Sequence, residues 1–67
     1  MQGTIKNVKE RGDFGFIAPD EGGGDVFIHV SAVAHLGIKS LVDGWRVSFD
    51  IGPGKAGKTQ AVNVAML

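Results

Sequence analysis

Two short segments of the chain carry aromatic side chains at the alternating spacing that suits stacking against unpaired nucleobases. Phe14 and Phe16 alternate in the segment GDFGFI, and Phe27 and His29 alternate in the segment DVFIHV. Because side chains two residues apart lie on the same face of a strand, pairing of the two strands would unite all four rings. Stacking contributes about 1–3 kcal/mol per base and tolerates sequence, since every base has a flat face. The spacing therefore predicts a surface that binds single-stranded nucleic acid.

The same rings would form an ordinary core if the other face of these two strands were polar. The alternate positions are aliphatic instead: Ile17, Val26, Ile28 and Val30. An aliphatic face can fill the interior of a small barrel, which leaves the aromatic face outside. Gly15 lies between Phe14 and Phe16, where it keeps the opposite face small and permits strong local twist.

The segment GPGKAGKT, residues 52–59, matches the phosphate-binding loop pattern G-x-x-x-x-G-K-[ST] at every fixed position. That loop requires a strand before it and a helix after it, because the helix N-terminus holds the phosphates. The residues that follow Thr59 are QAVNVAML, which alternate as a strand does. We therefore predict a glycine-rich hairpin connection with exposed lysines, and not a nucleotide-binding enzyme.

Neither catalysis nor metal binding is expected. Asp25, His29 and Ser31 have the types of a catalytic triad, but a triad needs a positioned pocket, and a small barrel fills its interior with side chains. The chain has two histidines and no cysteine, and no third ligand is evident beside His29 and His35. We expect no enzyme activity, no cofactor and no metal.

Composition predicts one small domain, spanning residues 1–67. Seven basic residues balance seven acidic ones, so a bulk positive charge that would attract phosphates is missing. The basic residues do cluster, near the start at Lys6, Lys9 and Arg11 and near the end at Lys55 and Lys58. The first twelve residues lack the apolar region of a signal peptide, and no apolar run approaches the length of a membrane span. We expect a soluble, cytoplasmic protein without membrane contact.

Frequent turn signals separate short runs rich in Val, Ile and Phe, which is typical of an all-β barrel or sandwich. We predict five strands, at about residues 3–8, 14–19, 25–30, 46–51 and 60–66. A helical turn is expected over residues 31–34, capped by Ser31. Alternation in the last two strands predicts that Val47, Phe49 and Ile51 point inward and that Val62, Val64 and Met66 share one face.

The order and spacing of the motifs resemble those of bacterial cold-shock proteins over nearly the whole chain. The resemblance rests on M-x-G-T-I-K, F-G-F-I-x-P-D, D-V-F-I-H-x-S-A-V, G-I-K-S-L, D-G-x-x-V-S-F and A-x-N-V. It implies an all-β, five-stranded antiparallel OB-fold barrel. It also implies binding of single-stranded RNA and DNA, a role as an RNA chaperone that melts weak secondary structure, and a role in transcription or translation.

The resemblance also carries a set of binding residues onto this chain. Lys6 matches a basic residue of the first strand, and Asp25 matches a rim position that contacts bases. Arg11 lies one position from a basic residue that the family usually has, and Lys58 lies in a loop where the family often places a basic contact. The expected nucleic-acid-binding residues are Lys6, Arg11, Phe14, Phe16, Asp25, Phe27, His29 and Lys58.

The chain departs from the family pattern at several ring positions. Four sites that usually carry an aromatic residue are amide or aliphatic here: Asn7, Val8, Val30 and Ile38. Since each lost stack costs about 1–3 kcal/mol, we expect an affinity below that of a typical member. Trp45 stands where the family usually has a polar residue, and it is expected either to pack on the connection 35–43 or to anchor a partner.

A protein-interaction module is the alternative that the sequence leaves open. The neutral charge and the missing rings would fit a diverged OB barrel that contacts protein, or dimerises, and binds little nucleic acid. Such a chain would be a monomer or a homodimer, the latter through the connection 35–45. The four retained rings favour nucleic-acid binding over this alternative.

Overall fold

The computed structural model describes residues 1–54 and 59–67. Within these residues the chain forms five strands and two short 3-10 helices. The strands are β1 (Gln2–Lys9), β2 (Phe14–Pro19), β3 (Val26–His29), β4 (Arg46–Pro53) and β5 (Thr59–Met66). The first 3-10 helix is Glu10–Gly12 and the second is Val30–Leu36. Neither of these two helices is long or apolar enough to cross a membrane.

The strands close into a barrel in the order β1-β2-β3-β5-β4. This confirms the predicted all-β fold with a five-stranded barrel. Four of the five strand pairings are antiparallel as predicted, and the fifth is parallel, where Phe27 of β3 pairs with Gln60 of β5. An odd number of strands cannot alternate in direction all the way round a closed ring, so one neighbouring pair has to be parallel.

The interior of the barrel is filled with aliphatic side chains and one phenylalanine. The buried residues are Ile5, Ile17, Val26, Ile28, Val33, Leu41, Val47, Phe49, Ala61 and Val64. Alternation in β2 and β3 is confirmed, since Ile17 and Ile28 are fully buried on the inner face. Burying such side chains stabilises a small domain by about 1.5–3 kcal/mol each, before the entropy of ordering the chain is subtracted.

A β-bulge interrupts β1 opposite Gly15. Lys6 pairs with Phe16 and Lys9 with Phe14, so Asn7 and Val8 together oppose the single residue Gly15. Asn7 has a positive φ of 52°, a conformation that Asn tolerates better than most residues. A Cβ on Gly15 would lie 3.2 Å from the Lys6 carbonyl oxygen and from a Val8 methyl, so glycine permits this close approach.

A second bulge interrupts β5 opposite Phe49. Ser48 pairs with Ala65 and Asp50 with Val62, which leaves two residues of β5 facing one of β4. The extra residue reverses the alternation, so that Ala61 and Val64 are both buried while Val62 is half-buried. The prediction that Val62 and Val64 share one face is therefore wrong.

The prediction that Ile51 points inward is also wrong, because its side chain is 47% exposed. β4 pairs with β1 only from Arg46 to Ser48. Beyond that point β5 is the strand that pairs with β4, and Ile51 pairs there with Ala61. At Ile51, β4 therefore has a described neighbouring strand on one side only.

The connection between the second 3-10 helix and β4 runs along the part of β1 that β4 does not reach. The amide of Ile5 donates to the Trp45 carbonyl at 2.8 Å, and the Gly44 amide donates to the Ile5 carbonyl at 2.8 Å. The Val8 amide donates to Asp43 Oδ1 at 3.0 Å, which holds the bulge of β1 from outside. Trp45 is half-buried and packs against the core.

A charged pair ties three strands together at the outer surface. The guanidinium of Arg46 donates to Asp20 Oδ1 at 2.6 Å and to Thr4 Oγ1 at 3.0 Å. The hydrogen bond from Arg46 holds the pKa of the Asp20 carboxyl below its ordinary value, and Asp20 in turn raises the pKa of Arg46. The pair links the start of β4 to β1 and to the end of β2.

Candidate nucleic-acid interface

Three phenylalanines and one histidine lie together on the outer side of β2 and β3. Phe14 pairs with His29 and Phe16 pairs with Phe27, so all four side chains project from the same face. The ring centroids of Phe14 and Phe27 are 6.0 Å apart at 31°, and those of Phe16 and Phe27 are 5.9 Å apart at 77°. We call this surface the aromatic face, and the predicted grouping of its residues is confirmed.

The aromatic face remains open to solvent because the core is complete without it. The phenylalanines are half-buried against one another, and His29 is exposed. On the opposite side of the same strands, Ile17 and Ile28 are fully buried. Mutual edge and tilted contacts of the rings stabilise the cluster and leave part of each ring available to a ligand.

Lys6 and Asp25 form a polar rim beside Phe16. Lys6 pairs with Phe16 across β1 and β2, which puts it on the side of the aromatic face. Its ammonium group lies 3.1 Å from Asp25 Oδ2, and the two side chains are 45% and 39% exposed. The structure therefore brings together two of the predicted binding residues, and it joins them as an ion pair.

Lys9 also lies on this side of the sheet, although it is not among the predicted binding residues. It pairs with Phe14 because the bulge at Asn7 and Val8 shifts the end of β1 by one residue. Uninterrupted alternation would have turned Lys9 away from Lys6. Asn7, which tolerates positive φ, and Gly15, which leaves room for a bulge, are compatible with this shift, but alternation along β1 does not reveal it.

Of the two other predicted cationic residues, Arg11 and Lys58, the structure describes only Arg11. Arg11 is exposed in the first 3-10 helix, outside the strands, with a positive φ of 57°. Lys58 lies outside the described residues, as does Lys55. The segment that follows them, Thr59–Met66, is a strand, which agrees with the prediction that no helix follows the phosphate-loop pattern.

The residues that stand at the missing ring positions have two different environments. Val8, Val30 and Ile38 are partly buried and pack against the core. Asn7 is exposed at the bulge, between the residues that pair with Phe16 and Phe14. The aliphatic replacements thus contribute to the stability of the barrel, and a polar amide stands where one ring is missing.

His29 is held by the start of the second 3-10 helix. Its Nδ1 accepts a hydrogen bond from the Ser31 backbone amide at 3.1 Å and lies 3.0 Å from Ser31 Oγ. His29 is therefore the cap of this helix, and the prediction that Ser31 caps it is wrong because the helix begins one residue earlier, at Val30. Since Nδ1 accepts, the neutral ring carries its proton on Nε2, where it is a donor.

The titratable and hydroxyl side chains that the structure describes near this face make pairwise contacts. The Asp25 carboxylate pairs with Lys6, and Ser31 Oγ contacts the ring nitrogen of His29 on an exposed surface. Across residues 1–54 and 59–67, His, Asp and Glu side chains do not gather into a group of three or more that could hold a metal ion. The arrangement of the described residues suits stacking and hydrogen bonding to a ligand.

The amino-acid sequence of the chain is similar to one known family and to several known proteins. The family model described as the 'Cold-shock' DNA-binding domain matches residues 1–67. Cold shock protein CspA of Rhizobium meliloti is 48% identical over 63 residues, covering 92% of this chain and 91% of that protein. Cold shock protein CspV of Vibrio cholerae is 45% identical over 67 residues, covering 100% of this chain and 94% of that protein.

A plant protein shares the same region as part of a longer chain. Glycine-rich protein 2 of Nicotiana sylvestris is 43% identical over 63 residues. The match covers 94% of this chain but only 29% of the plant protein. The similarity to that relative is therefore limited to one segment of it.

Proposed function

The chain belongs to the cold-shock DNA-binding domain family, whose members bind nucleic acids, and we propose that it binds single-stranded RNA and DNA by stacking bases on its aromatic face. One observation carries the proposal. The ring centroids of Phe14 and Phe16 lie 6.0 Å and 5.9 Å from that of Phe27 on an outer face. Such a platform accommodates successive unpaired bases of any sequence.

The hydrogen-bonding groups at the edges of the face complement the rings. His29 presents a ring N–H beside Phe14, and the Lys6–Asp25 pair supplies donors and acceptors beside Phe16. Base edges and phosphate oxygens of a single strand can bond to these groups while the bases stack. Arg11 and Lys58 remain proposed contacts.

The affinity is proposed to be weaker than that of relatives with a full set of rings. Asn7 supplies no ring, and Val8, Val30 and Ile38 are partly buried against the core. Since each lost stack costs about 1–3 kcal/mol, binding weakens by one or more orders of magnitude. Weak, sequence-tolerant binding suits an RNA chaperone, which has to release strands after their weak secondary structure has melted.

A regulatory role in transcription or translation follows from the same chemistry. A protein that holds RNA single-stranded changes which hairpins form in a transcript. That effect requires no catalytic group and no cofactor. It requires only a stacking surface on a stable barrel, which this chain provides in Phe14, Phe16 and Phe27.

The experiment is a fluorescence anisotropy titration with a labelled heptathymidine. Phe16→Ala and Phe27→Ala are each expected to raise Kd by about 5- to 150-fold, which corresponds to about 1–3 kcal/mol per stack. Met66→Ala is the control, because Met66 is exposed and pairs with Val47 on β4. Its Kd is expected to equal that of the unmodified protein, and circular dichroism checks that each variant is folded.

Two results would count against the proposal. Equal Kd values for the unmodified protein and both folded phenylalanine variants would exclude the aromatic face as the binding site. A folded protein that does not bind the oligonucleotide at low salt would exclude nucleic-acid binding itself. The protein-interaction alternative would then explain the exposed rings.

A further inference from the structure

The two lysines of β1 on the side of the aromatic face differ in their electrostatic surroundings. Lys6 lies beside Phe16 and Lys9 lies beside Phe14, so each is within reach of a strand stacked on the rings. Lys6 is in an ion pair with Asp25 at 3.1 Å. Lys9 is exposed, and within residues 1–54 and 59–67 no carboxylate lies at ion-pair distance from it.

The partner of Lys6 reduces what that lysine contributes to phosphate binding. A phosphate that approaches Lys6 also approaches the Asp25 carboxylate, and the pair has no net charge. If Lys6 leaves Asp25 for a phosphate, one cation is released from the nucleic acid, but Asp25 then attracts a cation from solution. The net release of counterions, which makes binding salt-dependent, is therefore small.

Lys9 has no such compensation. A phosphate contact with its ammonium group releases counterions without uncovering a carboxylate among the described residues. The position of Lys9 depends on the bulge in β1, where Asn7 adopts a positive φ of 52°. The bulge lies at Asn7 and Val8, where the family usually has aromatic rings, and it places Lys9 beside Phe14.

Building on the proposed function, we propose that Lys9 is the residue of β1 that contacts the phosphate backbone of the bound single strand. The contacted group is a phosphate oxygen next to the base that stacks on Phe14. Lys6, by contrast, acts with Asp25 as a neutral polar rim. The electrostatic contact from Lys9 therefore supplies part of the binding free energy that the missing rings do not supply.

The salt dependence of binding tests this assignment. For single strands, each phosphate contact contributes about 0.7 to the slope of log Kd against log salt concentration. Lys9→Gln is expected to lower that slope by about 0.7, and Lys6→Gln by less than half as much. Asp25→Asn is expected to steepen the slope, because it frees the charge of Lys6. Lys39→Gln, an exposed lysine in the connection before β4, is the control and should leave the slope unchanged.

A second probe separates a phosphate contact from a structural role of Lys9. A heptathymidine with uncharged methylphosphonate linkages keeps its bases but removes the backbone charge. The unmodified protein and Lys9→Gln are expected to bind this probe equally. A weaker affinity of Lys9→Gln for both probes would show that the substitution damages the face, and would overturn the proposal.

The failure of this inference is distinguishable from the failure of the proposed function. If the unmodified protein binds the charged probe and Phe16→Ala binds it more weakly, the proposed function stands. An unchanged slope in Lys9→Gln, or a larger loss of slope in Lys6→Gln, would then overturn the assignment of Lys9 alone. If the folded, unmodified protein does not bind at all, the proposed function and this inference both fail.

Discussion

His29 lies both at a helix cap and on the face that is proposed to bind nucleic acid. Its Nδ1 caps the second 3-10 helix, and its Nε2–H is left as a donor beside Phe14. In the proposed binding mode, a ligand atom next to Nε2 is favoured if it accepts a hydrogen bond, because the backbone amide of Ser31 fixes which nitrogen carries the proton. The helix cap would then contribute to the chemical selectivity of the face.

Substitution of His29 separates these two functions. His29→Ala is expected to lower the free energy of unfolding by about 1 kcal/mol, the usual cost of losing a helix cap. His29→Asn is expected to cost much less, since the amide oxygen of Asn accepts the same bond from Ser31. Urea denaturation measures both, and equal losses in the two variants would show that the cap does not stabilise the protein.

The residues of the aromatic face were predictable from the sequence, whereas Lys9 was not. Phe14, Phe16, Phe27 and His29 lie on two regular strands, where a period of two decides the face. Lys9 follows a bulge, and simple alternation assigns residues after a bulge to the wrong face. The ion pair of Lys6 and Asp25 joins β1 to the start of β3 across β2, which alternation along one strand does not reveal.

At the scale of elements, both bulges combine an asparagine in the left-handed region with a large neighbour that packs inward. Asn7 has φ 52° and precedes Val8, while Asn63 has φ 51° and precedes the buried Val64. The existence of all five strands followed from the turn signals, but the faces of β5 did not. An asparagine inside an alternating run does not reveal, from sequence alone, that an extra residue is inserted there.

The bulge of β5 makes a testable contribution to stability. Left-handed backbone costs a residue with a Cβ about 1–2 kcal/mol, which glycine avoids. Asn63→Ala is therefore expected to be less stable than Asn63→Gly by about 1 kcal/mol, although both lose the hydrogen bond from Asn63 Nδ2 to Asp50 at 3.2 Å. Urea denaturation compares the two variants. An alanine variant as stable as the glycine variant would mean that β5 shifts its register rather than keeping the bulge.

At the scale of the whole molecule, the barrel closes through contacts that are distant in sequence. Arg46 connects Thr4 of β1 to Asp20 after β2, and the Asp20 amide donates to the Gln2 carbonyl at 2.9 Å. The connection before β4 covers the remainder of β1. The core residues of β2 and β3 were predictable from local pattern, but these closing contacts depend on how the strands are ordered in space.

The pair of Asp20 and Arg46 makes the stability of the barrel depend on pH. The folded state lowers the pKa of Asp20 from its ordinary value of 3.8, so the folded protein binds fewer protons at this carboxyl than the unfolded chain does. The pair therefore stabilises the protein above about pH 4, and this contribution is lost as the pH falls through the lowered pKa of the folded state. Asp20→Asn lacks the contribution at every pH.

The free energy of unfolding of the unmodified protein should thus exceed that of Asp20→Asn near neutral pH, and the difference should disappear towards pH 2. Both side chains are 44% exposed, so the difference is modest and shrinks as salt is added. Glu21→Gln is the matched control, because Glu21 is the exposed neighbour and within the described residues no ion pair involves it. A difference between the unmodified protein and Asp20→Asn that stays constant from pH 7 to pH 2 would show that closure of the barrel does not depend on this charge.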